Sequence, residues 1–181
     1  MSSLIEDEDY RGKNPSSGRM GKAAEYLVAA SCILATRGEL NVSTSMVDDE
    51  GIDLIFHRRG APATLAVQVK ARMSDAVVVQ KQKVTAQVRE QTFRPRENLD
   101  MLFVAIDIER GAIMTAWLVP STAFESMVTG RTTRGRMRFS ASMKQDAADR
   151  WSPYRLTATE LPKRIMARLG ELESARAGKT E

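Results

Sequence analysis

The stretch "DMLFVAIDI", residues 100–108, constrains the fold more than any other part of this chain. Side chains alternate across a strand, and both alternations here are mostly apolar, so the strand must be covered on both sides. A covered central strand needs two packed layers around it. The remaining patterns supply them. Ala23, Leu27, Ala30 and Leu34 recur at helical spacing, which predicts a helix over 20–37 with Gly38 as its C-terminal cap. Strands are expected over 41–47, 52–57, 65–71, 76–80 and 112–119, with "RRGAP" as a tight turn. A helix is expected over 83–93 from Val84 and Val88, and Pro120-Ser121 opens a short helix reaching Val128. Residues 129–139 read as a loop or irregular hairpin. Thr159 caps a last helix whose Leu161, Ile165, Leu169 and Leu172 form a stripe. Together these predict an α/β fold with a mixed central sheet flanked by helices. We expect a loosely attached lead over 1–17, one domain over 18–176 and a short tail over 177–181.

Composition removes several function classes. The 181 residues include one cysteine, Cys32, and one histidine, His57, so a disulfide within the chain, a multi-cysteine zinc site and a histidine-rich metal cluster are all excluded. The longest nearly apolar run, 27–35, falls far short of the roughly 20 residues that span a bilayer. The first residues are acidic, with Glu6, Asp7, Glu8 and Asp9, and lack the apolar core of a signal peptide. A cytoplasmic protein is the expectation. Net charge is +4, and the cations are clustered. Lys81, Lys83, Arg89, Arg94 and Arg96 form one group; Arg131, Arg134, Arg136, Arg138 and Lys144 form another. Two such groups fit a surface facing a polyanion, and a solvated face is the competing reading.

Polar residues inside the most strand-like stretch carry the chemistry. In "LAVQVKA", Ala66, Gln68 and Lys70 share the face opposite Leu65, Val67, Val69 and Ala71. In "GIDLIFH", Asp53, Ile55 and His57 lie opposite Ile52, Leu54 and Phe56. Paired as a hairpin, the strands bring Asp53 beside Gln68 and Lys70. Burying such groups without partners costs several kcal/mol, so they should meet each other, a metal or water. A carboxylate and an amide carbonyl are hard oxygen ligands suited to magnesium or manganese. A nearby lysine can position a water and stabilise charge on a phosphoryl oxygen. Glu25 shares a helix stripe with the small residues Gly21, Ala29 and Cys32, which would let one more carboxylate approach the sheet. The alternative is a solvent-facing strand pair with an exposed helical acid.

A helix with "GKAAEYLV", a strand with "GIDLIF" and a strand with "VQVK", in this order, resemble the PD-(D/E)XK nuclease superfamily. The nearest likenesses are Mrr-like restriction endonucleases and archaeal Holliday-junction resolvases. The resemblance covers residues 19–120 and implies a restriction-endonuclease-like αβββαβ core. It implies Glu25 as the helical acid, Asp53 as the central metal ligand and Lys70 as the catalytic lysine. Gln68 stands where the commoner pattern has an acid, as it does in Mrr-like members, and would give metal an uncharged oxygen. The implied activity is magnesium- or manganese-dependent hydrolysis of DNA, in a homodimer that places one site on each strand. The runner-up is a nuclease-fold module that binds nucleic acid or a protein without cutting. Asp48, Asp49 and Glu50 read as a polar turn that could assist a second metal; Cys32, Trp117 and Trp151 read as core, and His57 as a strand-end residue.

Overall fold

The computed structural model describes residues 15–44, 51–130, 132 and 134–178. Residues 1–14 of the expected lead, 179–181 of the expected tail, 45–47 of the expected strand, the acids Asp48, Asp49 and Glu50, and Arg131 lie outside the described residues. The chain runs α1 (Pro15–Ala35), β1 (Leu40–Thr44), β2 (Leu54–Arg58), β3 (Thr64–Met73), α2 (Val77–Gln80), β4 (Lys83–Arg89), β5 (Leu99–Asp107) and β6 (Ala112–Pro120). It continues through α3 (Ser121–Met127), β7 (Arg136–Ser142), β8 (Arg155–Leu156) and α4 (Glu160–Ala177). A six-stranded sheet has the order β1-β2-β3-β5-β6-β8. Only β3 and β5 pair in parallel; the other neighbours are antiparallel. The mixed sheet flanked by helices is therefore as expected.

β5 is the covered strand. Leu102, Val104 and Ile106 pack into one core with Val28 of α1 and with Leu161, Ile165 and Leu169 of α4. Met101, Phe103 and Ala105 pack into a second core on the other face, with Phe124 of α3 and the inner side of a separate two-stranded sheet, β4-β7. Trp117 and Trp151 are buried in that second core, as anticipated.

Four local expectations are corrected. Residues 83–93 do not form a helix; Lys83–Arg89 is a strand that buries Val84, Ala86 and Val88. A spacing of four between Val84 and Val88 fits both helix and strand periods, and Ala86 decides for the strand. Residues 76–80 form one helical turn, α2, because the chain turns at Met73–Ala76 and makes local hydrogen bonds through Lys81 N–H to Val77 O at 3.1 Å. The intervening helix of the αβββαβ pattern is thus one turn long, and β4 makes the rest of the crossover from β3 to β5. Residues 136–142 are regular strand rather than loop. In α1, which starts at Pro15 inside the expected loose lead, the core side is Ala24, Val28 and Cys32. Leu34 of the predicted stripe is 77% exposed, and Ala23 and Ala30 also face out; only Leu27 is partly buried against the core. Both sides of this helix are apolar, so periodicity could not rank them, and the small-residue side approaches the sheet.

The last helix carries its predicted stripe and has Thr159 at its N-cap, but the side-chain capping bonds are made by Thr157. Thr157 N–H and hydroxyl both donate to Glu160 Oε2 at 2.8 Å, and Glu160 N–H donates to Thr157 Oγ1 at 3.3 Å. This is a reciprocal capping box, and those donors hold the Glu160 carboxyl below its ordinary range.

One charged pair crosses the helical core. Asp100 of β5 is fully buried and Arg168 of α4 is 8% exposed. Arg168 Nε and one terminal nitrogen donate to the two Asp100 oxygens at 2.9 Å each, and that nitrogen also reaches Glu97 O at 2.9 Å. Removing one partner of such a pair leaves a buried charge behind. Arg168→Ala is expected to lower unfolding free energy by about 3–5 kcal/mol in urea denaturation. Asp100→Leu combined with Arg168→Met should recover most of that loss. A fully stable Arg168→Ala protein would contradict this account of the pair.

Candidate functional site

Of the predicted residues, Asp53 and Gln68 stand where β2 and β3 part. The pairing Leu54↔Val67 through His57↔Thr64 stops at Leu54. Asp53 comes next. Its N–H still donates to Val67 O at 3.0 Å, while its Oδ2 accepts from Val69 N–H at 2.6 Å. A carboxylate thus takes over the acceptor position that a continuing strand would have supplied, so the buried strand's amide stays satisfied. Asp53 is held by its own backbone and by β3, which fixes it at the mouth of the fork.

Gln68 lies on the next step of that register, opposite Asp53. Its side chain runs against Gly51, where an added Cβ would come within 2.5 Å of Nε2. Gly51 also has φ +67, a left-handed conformation that favours glycine. The glycine of "GID" therefore both turns the chain into β2 and leaves room for the amide. Lys70 follows two residues later on the same side and is half-buried. Gln68 and Lys70 neighbour Met101 and Phe103 of β5, so they lie on the side of the sheet that the β4-β7 pair covers.

Glu25 is 9% exposed, not a surface acid. Lys22 Nζ sits 2.5 Å from its Oε2. The Lys22 ammonium is held above the ordinary lysine range, first by that hydrogen bond, against the effect of burial, and then by the charges of Glu25 and Asp53. The influence of Asp53 at Lys22 connects the helix to the fork. Lys22 is the residue that sequence reasoning missed, although it stands in "GKAAEYLV" with the i, i+3 spacing to Glu25 that such pairs use. Among the described residues, no group of three or more His, Cys, Asp or Glu is placed to hold a metal ion. The donors at hand are Asp53, Gln68 and, across Lys22, Glu25.

Cys32 is buried and its thiol is pushed up to about 12 by desolvation, which makes it an inert core residue. His57 stays in β2, half-buried.

The cations fall into two sets. Lys83 and Arg89 of β4 share the outer face of the β4-β7 pair with Arg136 and Arg138 of β7, through the register Lys83↔Ser142, Gln87↔Arg138 and Arg89↔Arg136. Lys81 is exposed in the turn before β4 and Arg134 in the turn before β7. Arg94 turns back onto Phe93 O at 3.0 Å, and Arg96 lies half-buried in the loop before β5, its N–H donating to Ser121 Oγ at 2.9 Å.

No family model matches the sequence, and a search of curated proteins found no match. Among solved structures the chain is similar to the bacterial homing endonuclease I-Ssp6803I, with a TM-score of 0.53 and 17% identity. The match covers 89% of this chain and 96% of that one. It shows that the two chains share a fold. No described helix is long and apolar enough to cross a membrane.

The fork gives Asp53 a structural duty that is measurable alone. Asp53→Ala strands the Val69 amide and is expected to cost about 1–3 kcal/mol of stability in urea melts. Asp53→Asn keeps an acceptor oxygen and should lose markedly less. Equal stability of Asp53→Ala and the parent chain would show that the carboxylate does not support the fork.

Proposed function

We propose that this chain is a metal-dependent DNA endonuclease of the PD-(D/E)XK type. The observation that carries the proposal is the placement of Asp53 at the fork, opposite Gln68 and within electrostatic reach of the Glu25–Lys22 pair. The fold shared with a homing endonuclease supports it.

The donor set fits magnesium or manganese. Magnesium keeps several waters and needs only one or two protein carboxylates, so Asp53 and Gln68 would hold it, with Glu25 assisting through water. When bound, the ion would neutralise the scissile phosphate and lower the pKa of a coordinated water. Lys70 orients the attacking water and places positive charge near the phosphoryl oxygens. Asp53 keeps its orientation through the Val69 amide, and Lys22 holds Glu25 in place by pairing with its carboxylate. Two strands of a duplex need two such sites, which a homodimer supplies.

The second reading is a nuclease-fold module that binds nucleic acid or a protein without cutting. It is favoured by the uncharged amide at Gln68 and by the engagement of Glu25 with Lys22.

Cleavage of supercoiled plasmid, linear duplex, single strand and four-way junction in magnesium or manganese decides between them. Wild-type cleavage that disappears in Lys70→Ala is expected, and equal cleavage by both would locate the chemistry elsewhere. Calorimetric titration with manganese provides the companion test. Heat should vanish in Asp53→Ala, and Gln68→Glu should bind more tightly because it adds a charge to the donor set. No metal binding and no cleavage by folded wild type would favour the module.

A further inference from the structure

We propose that the β4-β7 pair is a ribbon that enters the major groove of B-form DNA. This rests on the DNA reading above and names the element and groove. The register puts Lys83, Gln87, Arg89, Arg136 and Arg138 on one outer face, while Val84, Ala86, Val88, Met137, Phe139 and Ala141 face the protein. More than forty residues of sequence separate Arg89 from Arg136; strand pairing sets them side by side. Arg89 stands directly opposite Arg136, with Arg138 two residues along. This cation-rich face is complementary in charge to a polyanion lying along it. Glu90, adjoining the ribbon's end, is the acid closest in sequence to this group.

The dimensions agree with the groove. Paired strands lie about 4.8 Å apart, and a major groove about 12 Å wide admits a two-stranded ribbon. Side chains on one face recur about every 6.7 Å along a strand, close to two phosphate steps of about 3.4 Å on one DNA strand. The chemistry also agrees. Arginine pairs with guanine edges, glutamine with adenine edges and lysine with phosphate. Gln87 is already oriented, since its Oε1 accepts from Arg136 Nη1 at 3.0 Å.

The ribbon is anchored firmly enough to read bases. Phe139 stacks on Phe103 with centroids 3.7 Å apart and planes at 4°, and it contacts Trp117 and Trp151 edge-on or tilted. A reading element needs such support from packed residues behind it. It lies on the same side of the main sheet as Gln68 and Lys70.

The test is fluorescence-anisotropy binding by the full chain in EDTA, which separates binding from cleavage. Probes are a mixed-sequence DNA duplex and the RNA duplex of the same sequence. Arg89→Ala/Arg138→Ala should weaken DNA binding by roughly tenfold or more and flatten the salt dependence by about one to two in slope. Lys163→Ala, an exposed cation on α4 across the sheet, should change little. Thermal melts confirm that each variant is folded. Methyl green, a major-groove ligand, should compete, and netropsin, a minor-groove ligand, should not. The RNA duplex should bind more weakly, because its major groove is too narrow for side chains to read. Competition by netropsin alone, equal affinity of the ribbon variant, or absence of duplex binding by wild type would each overturn the proposal. Cleavage that persists in a ribbon variant with normal affinity would overturn the ribbon assignment and leave the nuclease reading standing.

Discussion

β5 has no face left for water. Every residue from 99 to 106 is buried, and the alternate side chains enter two different cores. Burying one large apolar side chain contributes about 1.5–3 kcal/mol, so neither covering layer can be dispensed with. The helical layer uses α1 and α4; the opposite layer uses α3 and the β4-β7 ribbon. Asp100 is the exception on this strand, a buried acid within the helical core. Its cost is met by the bidentate Arg168, which ties α4 to the sheet at a definite register. At the β2-β3 fork the ladder ends, and there the Asp53 side chain replaces a backbone partner.

Much of this was legible because burial imposes its own pattern. The uninterrupted apolar run of β5 announced a central strand, and the stripe Leu161, Ile165, Leu169 announced α4. Asp53, Gln68 and Lys70 stood out because each breaks a strand's preference for apolar or β-branched residues. What failed were patterns with two physical solutions. Val84 and Val88 satisfy both periods, and the partner that settles the matter, β7, lies far along the chain. In α1 both sides are apolar, and the choice depends on how closely the backbone can approach the sheet. Lys22 was hidden for a different reason: its role appears only when tertiary packing brings the charge of Asp53 to bear on the Lys22–Glu25 pair.

The fork explains how a carboxylate can be both structural and available. Asp53 spends one oxygen on the Val69 amide, which fixes its direction, and a carboxylate retains further acceptor capacity. Holding the group this way removes the entropy cost of orienting it later. Glu25 is treated differently. It is buried beside an ammonium, so its charge is matched within the protein, and anything else that binds it must compete with Lys22. The two acids are therefore not equivalent donors, even though a sequence pattern gives them equal standing.

A parallel pair such as β3-β5 needs a crossover, and a helix is the usual one. Here one helical turn and a strand make the connection. The difference has an electrostatic consequence. A helix in that position would turn its cations through 100° per residue and present only some of them to one side. A strand presents every second residue to the same face, and a paired strand doubles the row. The sequence spends its inward positions on Val84, Ala86 and Val88 and its outward ones on Lys83, Gln87 and Arg89, and β7 repeats this division. Replacing the helix with a ribbon thus converts two scattered basic segments into one continuous surface, while the same residues complete the second core. The layer that buries β5 and the layer that presents the charge are one element.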